Sequence, residues 1–247
     1  MMRTYKTSSE AYIETLKDVY FNYDHRSSPR GMPIREKTDY SFRVLNPDSS
    51  SIKTKDEDRN KVIESYTHKE TELYDSCSNQ AEDFGKASKF WLNIANPDST
   101  VNSAYGYLIW KNKSHGNAQY EQGDCAMRTP WEWAKMCLTQ DKDTRQAILR
   151  FSLPQHAWNG VKDFTCTMHG NFLIRDDKLH FSVVMRSNDL WLGLTYDLPW
   201  FMSLMDKMID ELKSTYPNLT KGSYTHTVHS LHLYERDEEK IKRAIGL

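Results

Sequence analysis

The segment RSNDLWLGLTYD, residues 186–197, begins with a guanidinium and a hydroxyl and ends on a carboxylate, with Leu190, Trp191, Leu192 and Leu194 between them. Burying an unpaired charge costs several kcal/mol, so such a segment lines a pocket for a polar ligand that pairs with its ends. Upstream, DFTCTMH places Cys166 just before a pair of strands. A lone cysteine is either a small buried apolar residue or a nucleophile whose thiolate needs a nearby cation or base. Glu70 shares a helical stripe with Tyr66, Leu73 and Tyr74. A carboxylate there either reaches water at the stripe's edge or has a raised pKa suited to acid–base work. His226, His229 and His232 suggest a metal, but strand alternation turns His229 away from the other two, and no metal site is expected. The same alternation puts His232 and Tyr234 on one face, which is either a polar surface or a hydrogen-bonding pair aimed into a pocket.

These residues need elements to position them. Thr7 and Glu10 predict a capping box, followed by a helix with Tyr12, Leu16, Val19 and Tyr20 on its buried side. Residues 23–60 are polar and predict long exposed loops. A second helix is expected over 61–76, and Thr129-Pro130-Trp131-Glu132 predicts a capped helix to about 139. RQAILRFSL reads as a strand, and NFLIRDDKLHFSVVMRS as two strands turning at Asp176-Asp177. Phe201, Leu204, Met205, Met208, Ile209 and Leu212 define an amphipathic helix, and YTHTVHSLHLY closes as a strand. Strands and helices mix without βαβ alternation, which indicates an α+β fold.

A chain of 247 residues fits one domain, 1–247, with no repeat or clear linker. A net charge of −1 gives no reason to expect a nucleic acid or membrane partner. No apolar run approaches a membrane span, and MMRTYKTSSE lacks a signal-peptide core. Cys77, Cys125, Cys137 and Cys166 form no CxxC pair, so a reducing cytoplasm without disulfides is expected.

KETELYDS, KFW, VNSAYGYLIW, DTRQAILRF, DFTCT, LIRDDKLHFSVVMRSNDLWLGLTYD and SLHLY follow one another over residues 60–235. In that order they resemble the thymidylate synthase family, most closely its cytosine-specific branch, the viral deoxycytidylate hydroxymethylases and methyltransferases. The resemblance implies a mixed sheet packed by helices, a homodimer joined through its sheet, and 5,10-methylenetetrahydrofolate as one-carbon donor. It places Cys166 at the nucleophile that attacks C6 of a pyrimidine, and Glu70 at the carboxylate that relays protons through water. Arg186 and Ser187 fall at the phosphate-binding pair. Arg30, in SSPRG, is a further phosphate ligand, and Arg145 matches an arginine reaching into the partner's site. His232 and Tyr234 match the pair that holds the sugar hydroxyl. Trp91, Asp189 and the terminal Leu247 match the folate side, with Trp110 and Trp191 as further aromatic cover. Two departures stand out: Gln146 where synthases usually have a second arginine, and Asn171 in place of a glutamine.

Asp197 falls where uracil-using synthases have asparagine. A carboxylate there accepts from the amino group of cytosine and from N3 once protonated, and faces an unpaired O4 in uracil. By itself the same residue could cap the helix that follows. In register with Cys166 and Arg186 it points to dCMP as substrate. Two products are then possible. Water capture gives 5-hydroxymethyl-dCMP, and hydride transfer from folate gives 5-methyl-dCMP. The internal motifs resemble hydroxymethylases. The SSPRG loop and the aliphatic Ala-Ile-Gly-Leu end, which would close over folate and exclude water, favour methylation narrowly. A catalytically silent nucleotide-binding relative is the alternative of a different class, and retention of Cys166, Glu70 and Asp197 together argues against it.

Overall fold

The computed structural model describes residues 2–116 and 127–247. Its elements begin with β1 (Arg3–Tyr5), α1 (Ser8–Asn22), β2 (His25–Ser27), β3 (Ile34–Val44) and α2 (Glu57–Asp75). Then come α3 (Ala81–Ala87), α4 (Phe90–Ile94), α5 (Tyr105–Trp110), β4 (His115–Gly116), β5 (Met127–Arg128) and α6 (Pro130–Gln140). The C-terminal half holds β6 (Ile148–Arg150), β7 (Thr167–Arg175), β8 (Lys178–Asp189), α7 (Leu194–Leu212), β9 (Thr220–Tyr234) and α8 (Glu238–Ile245).

One mixed sheet runs in the order β1-β3-β9-β8-β7-β6, with β2 also on β3. The β7–β8 hairpin turns through Asp176 (φ 51°) and Asp177 (φ 54°), the two left-handed residues that a tight two-residue turn requires. β8 and β9 are parallel, and Asp189 lies opposite His232. Their C-terminal ends therefore deliver residues 186–189 and 230–234 to one edge of the sheet. α7 covers the sheet with Phe201, Leu204, Met205, Met208 and Leu212, all fully buried. Phe201 stacks on Tyr224 of β9 at 6.4 Å and meets Phe181 of β8 edge-on at 6.5 Å.

The expectation of long exposed loops over residues 23–60 holds for residues 45–56, between β3 and α2, but not for the residues before them. β3 lies there, eleven residues long, between β1 and β9. Its polar residues have partners across the sheet: Ser230 Oγ donates to Glu36 at 2.6 Å, and the Ser41 and Thr227 hydroxyls are 2.9 Å apart. α2 starts four residues early because Asp56 caps it, accepting from the N–H groups of Asp58 and Arg59 at 3.0 and 3.1 Å. Acidic residues in its first turn complement the helix dipole, so DEDRN is helix start and not loop. At α1 the Thr7 cap holds, but the Glu10 carboxylate accepts from Lys6 N–H and not from Thr7. The box at Thr129 and Glu132 is complete. RQAILRFSL contributes only three strand residues, although Ala147 and Phe151 still bond to Phe172 and Met168.

Candidate functional site

The loop before β7 is fixed from α5 and its approach. Buried Asp163 accepts from Ser103 N–H at 2.8 Å and from its hydroxyl at 2.5 Å, and Asn102 donates to the Asp163 carbonyl at 2.8 Å. Thr167 Oγ1 donates to Tyr105 Oη at 2.9 Å. Between these anchors stands Cys166. Its carbonyl accepts from Arg186 N–H at 2.9 Å, and its Sγ lies 3.5 Å from Arg186 Nη2. The guanidinium is aimed by the Thr165 carbonyl at 3.2 Å, the Phe164 carbonyl, and the Phe164 ring at 4.8 Å. Burial pushes the Cys166 thiol up; the Arg186 cation opposes this, and Asp197 adds to it. Arg30 sits in the turn Pro29–Gly31 with φ 55°, its guanidinium 3.5 Å from the Lys162 carbonyl. Its charge also helps to hold the Cys166 thiol down. Ser187 follows on β8, half-buried, opposite Ser230.

Asp197 lies in the first turn of α7, beyond the strand end. Its N–H donates to the Gly193 carbonyl at 3.0 Å, and its Oδ2 accepts from Asn188 Nδ2 at 2.7 Å. Gly193 is required there, since a Cβ would come within 2.8 Å of both Asn188 Nδ2 and the Asp189 carbonyl. Burial raises Asp197 to about 7, with the Asn188 bond pulling down and Asp189 pushing up. Glu70 is buried on α2 and raised to about 8, first by burial and then by Asp197, while Tyr66 and Tyr74 hydrogen bonds lower it. Two neighbouring carboxyls thus hold protons near neutrality, the condition for acid–base exchange.

At the sheet edge, buried His232 and half-buried Tyr234 meet at right angles, centroids 5.3 Å apart. His226 is fully buried and His229 exposed beside Asp39, as alternation requires. Asp189 accepts at Oδ1 from Trp191 and Leu192 N–H, at 2.8 and 3.2 Å. Burial raises it, and His232 pulls it back. Trp91 of α4 donates to Tyr66 Oη at 3.3 Å, and the Tyr66 ring packs on Tyr196 at 4.5 Å.

Two sequence expectations, Leu247 and Trp110, are not brought to this cluster, and Arg145 is expected only in a partner's site. Leu247 is 66% exposed, and its N–H donates to Lys242 at the end of α8. Trp110 packs against Trp131 and Trp200 on the helical side of the core, at 5.7 and 6.3 Å. Arg145 is exposed on the loop before β6 and makes no hydrogen bond or ion pair among the described residues, and Gln146 beside it is exposed too. Asn171 lies on β7 with its side-chain oxygen buried and unpartnered. Cys77, Cys137 and Cys166 are free thiols, and Cys125 falls outside the described residues. No cluster of three or more metal-ligating side chains occurs among the described residues, and no helix there is long and apolar enough to cross a membrane.

Sequence reasoning missed Arg59 and Asn188. Arg59 is buried, donates to the Trp191 carbonyl at 2.5 Å and to Tyr196 Oη at 3.1 Å, and lies 4.3 Å over the Trp191 ring. In the polar run DEDRN at the start of α2 it reads as solvated, and nothing in its neighbours marks it. Asn188 shares its strand face with His180, Ser182 and Arg186, so in the sequence it reads as one more polar residue on a polar face.

A family model described as thymidylate synthase matches residues 10–246. Deoxycytidylate 5-hydroxymethyltransferase of Enterobacteria phage T6 is 34% identical over 181 residues, covering 69% of this chain and 67% of that protein. Deoxyuridylate hydroxymethyltransferase of Bacillus phage SP01 is 32% identical over 156 residues, covering 59% of this chain and 38% of that one. Among solved structures, thermostable thymidylate synthase A from Bacillus subtilis superposes with a TM-score of 0.70 at 18% identity, over 97% of this chain and 84% of the other. The family model spans nearly the whole chain, and the fold agrees with it: this protein belongs to the thymidylate synthase family.

Proposed function

We propose that the chain transfers a one-carbon unit to C5 of dCMP and hydrates it, giving 5-hydroxymethyl-dCMP. The observation that carries this reading is the buried carboxyl pair, Asp197 at about 7 and Glu70 at about 8, in the same site as the Cys166–Arg186 contact. The one-carbon donor is 5,10-methylenetetrahydrofolate, the cofactor of the family, which supplies carbon at the formaldehyde oxidation level when bound. The residues present fit it. Asp189 Oδ1 is taken by two backbone N–H groups, while its second oxygen makes no hydrogen bond among the described residues and is left for a ring N–H. Trp91, partly exposed beside Tyr66, offers an aromatic face, while Trp191 is buried under Arg59 and backs the wall.

Arg186, with Ser187 and Arg30, holds the nucleotide phosphate, and its cation beside Sγ favours the thiolate. His232 and Tyr234 take the sugar hydroxyl. Cys166 Sγ bonds to C6, and the C5–C6 π electrons move onto the ring. Asp197 stabilises this by holding a proton at N3, which leaves C5 nucleophilic. Once C5 has gained its carbon and lost its proton and the donor has left as tetrahydrofolate, Glu70 and Asp197 would hold the water that adds to the exocyclic carbon. Re-formation of the C5–C6 double bond expels the thiolate.

Methylation, narrowly favoured from the sequence, gives way here. The phage T6 relative is a hydroxymethyltransferase by name, and Leu247, whose closure over the site was the argument for excluding water, is exposed. The SP01 relative acts on deoxyuridylate by name, so the choice of base rests on Asp197. The deciding experiment incubates the protein with dCMP and methylenetetrahydrofolate and weighs the nucleotide product. A product one oxygen heavier than 5-methyl-dCMP, without dihydrofolate absorbance, is expected. The methyl product with equal dihydrofolate would refute the reading.

A further inference from the structure

Asn188 is 3% exposed, and its amide is half satisfied. Nδ2 donates to Asp197 Oδ2 at 2.7 Å, while Oδ1 is buried with no hydrogen-bond partner. Facing the ionised carboxyl, the amide presents its NH2 end, because only that end can donate. A buried acceptor left unpaired has given up its hydration for nothing, so a molecule bringing a donor to it recovers that free energy. Asn188 is two residues from Arg186 on β8, hence on the strand face that carries the guanidinium to Cys166. Gly193 is the clearance that lets this amide sit against Asp197.

We propose that Asn188 is a specificity residue that reads the base together with Asp197: its Oδ1 accepts an N–H of the 4-amino group, and the free Asp197 oxygen meets N3. This rests on the dCMP reading and refines it. Asp197 has one oxygen committed to Asn188 and so has only one for the base. Cytosine presents a donor to the unpaired amide oxygen. Uracil presents O4, setting acceptor against acceptor, which discriminates by repulsion as well as by loss of a bond.

The test measures binding of dCMP, dUMP and the corresponding 2-pyrimidinone nucleotide, which has only hydrogen at C4, to the wild type, Asn188→Ala and Asn188→Leu. Wild type should bind dCMP about tenfold or more tighter than the pyrimidinone nucleotide. Equal affinities there would overturn the proposal without any variant, so a misfolded variant does not block the test. In either folded variant, dCMP affinity should fall about tenfold, with the pyrimidinone nucleotide little changed and dUMP unchanged or tighter. Equal loss on all three would make Asn188 only a support for Asp197 and would also overturn it. Preference of the wild type for dUMP over dCMP would instead sink the underlying choice of substrate, a result distinguishable from the other two.

Discussion

Replacing Glu70 by glutamine should make the protein more stable in alkali, and the size of the effect follows from the site. The side chain is buried, and burial with Asp197 beside it lifts the carboxyl from 4.5 to about 8. The folded state therefore keeps its proton to higher pH than the unfolded chain. Stability from the neutral form is complete below pH 4.5 and is lost as pH rises to about 8. At about 1.4 kcal/mol per pH unit, that span corresponds to about 5 kcal/mol at full ionisation. Glutamine keeps the acceptor for Tyr66 and Tyr74 and removes the titration. Thermal or urea unfolding at intervals from pH 5 to 9 should show the two proteins close at pH 5. Their curves should then diverge, with Glu70→Gln ahead by several kcal/mol at pH 9, or on the order of 10 °C in Tm. Asp197 titrates in both and cancels to first order. Parallel curves across the range would refute the argument, because they would mean that Glu70 is ionised in the fold at ordinary pH.

Cys166→Ser should abolish turnover while leaving dCMP binding nearly intact, since phosphate and sugar contacts do not use the thiol; turnover within tenfold of wild type, checked by product mass, would remove Cys166 as nucleophile. Asp197→Asn should shift preference from dCMP toward dUMP by about tenfold or more in relative kcat/KM, and equal loss on both would make it a structural residue. Arg145, exposed and unpaired among the described residues, is expected to complete a partner's phosphate site in a homodimer. Mixing Arg145→Ala with Cys166→Ser should then restore some activity, whereas a monomer in sedimentation or no recovery on subunit exchange would count against it.

The second half of the chain was readable because its local signals agree with its tertiary role. The paired aspartates at 176 and 177 name their turn, and α7 carries an unbroken apolar stripe. Cys166, Arg186 and Asp197 stand at the ends of those elements, so their convergence follows from the hairpin and from the parallel β8–β9 pairing. β3 was not readable, because Glu36 and Ser41 find their partners about 190 residues away on β9 and look locally like loop. Asn188 was hidden for a related reason. A half-satisfied amide becomes visible only when its neighbours in space are known. Leu247 and Trp110 were placed by resemblance and aromatic character, and neither property carries a direction in space.

Arg59 ties two parts of the site into one cooperative unit. Its guanidinium is permanently charged, buried, and held by the carbonyl and ring of Trp191 and by Tyr196, with no carboxylate partner among the described residues. If the 191–197 turn opened while α2 stayed docked, the guanidinium would lose its bonds to the Trp191 carbonyl and Tyr196, each worth about 1.5–3 kcal/mol. Partial opening of either segment alone is therefore suppressed, and Glu70 and Asp197 should enter and leave the site in step. Native-state hydrogen exchange should find one shared opening free energy for the start of α2 and the start of α7, and Arg59→Met should let the two separate. The proton-holding pair is then a property of a single foldon, and a fluctuation exposing one carboxyl to solvent disarms both.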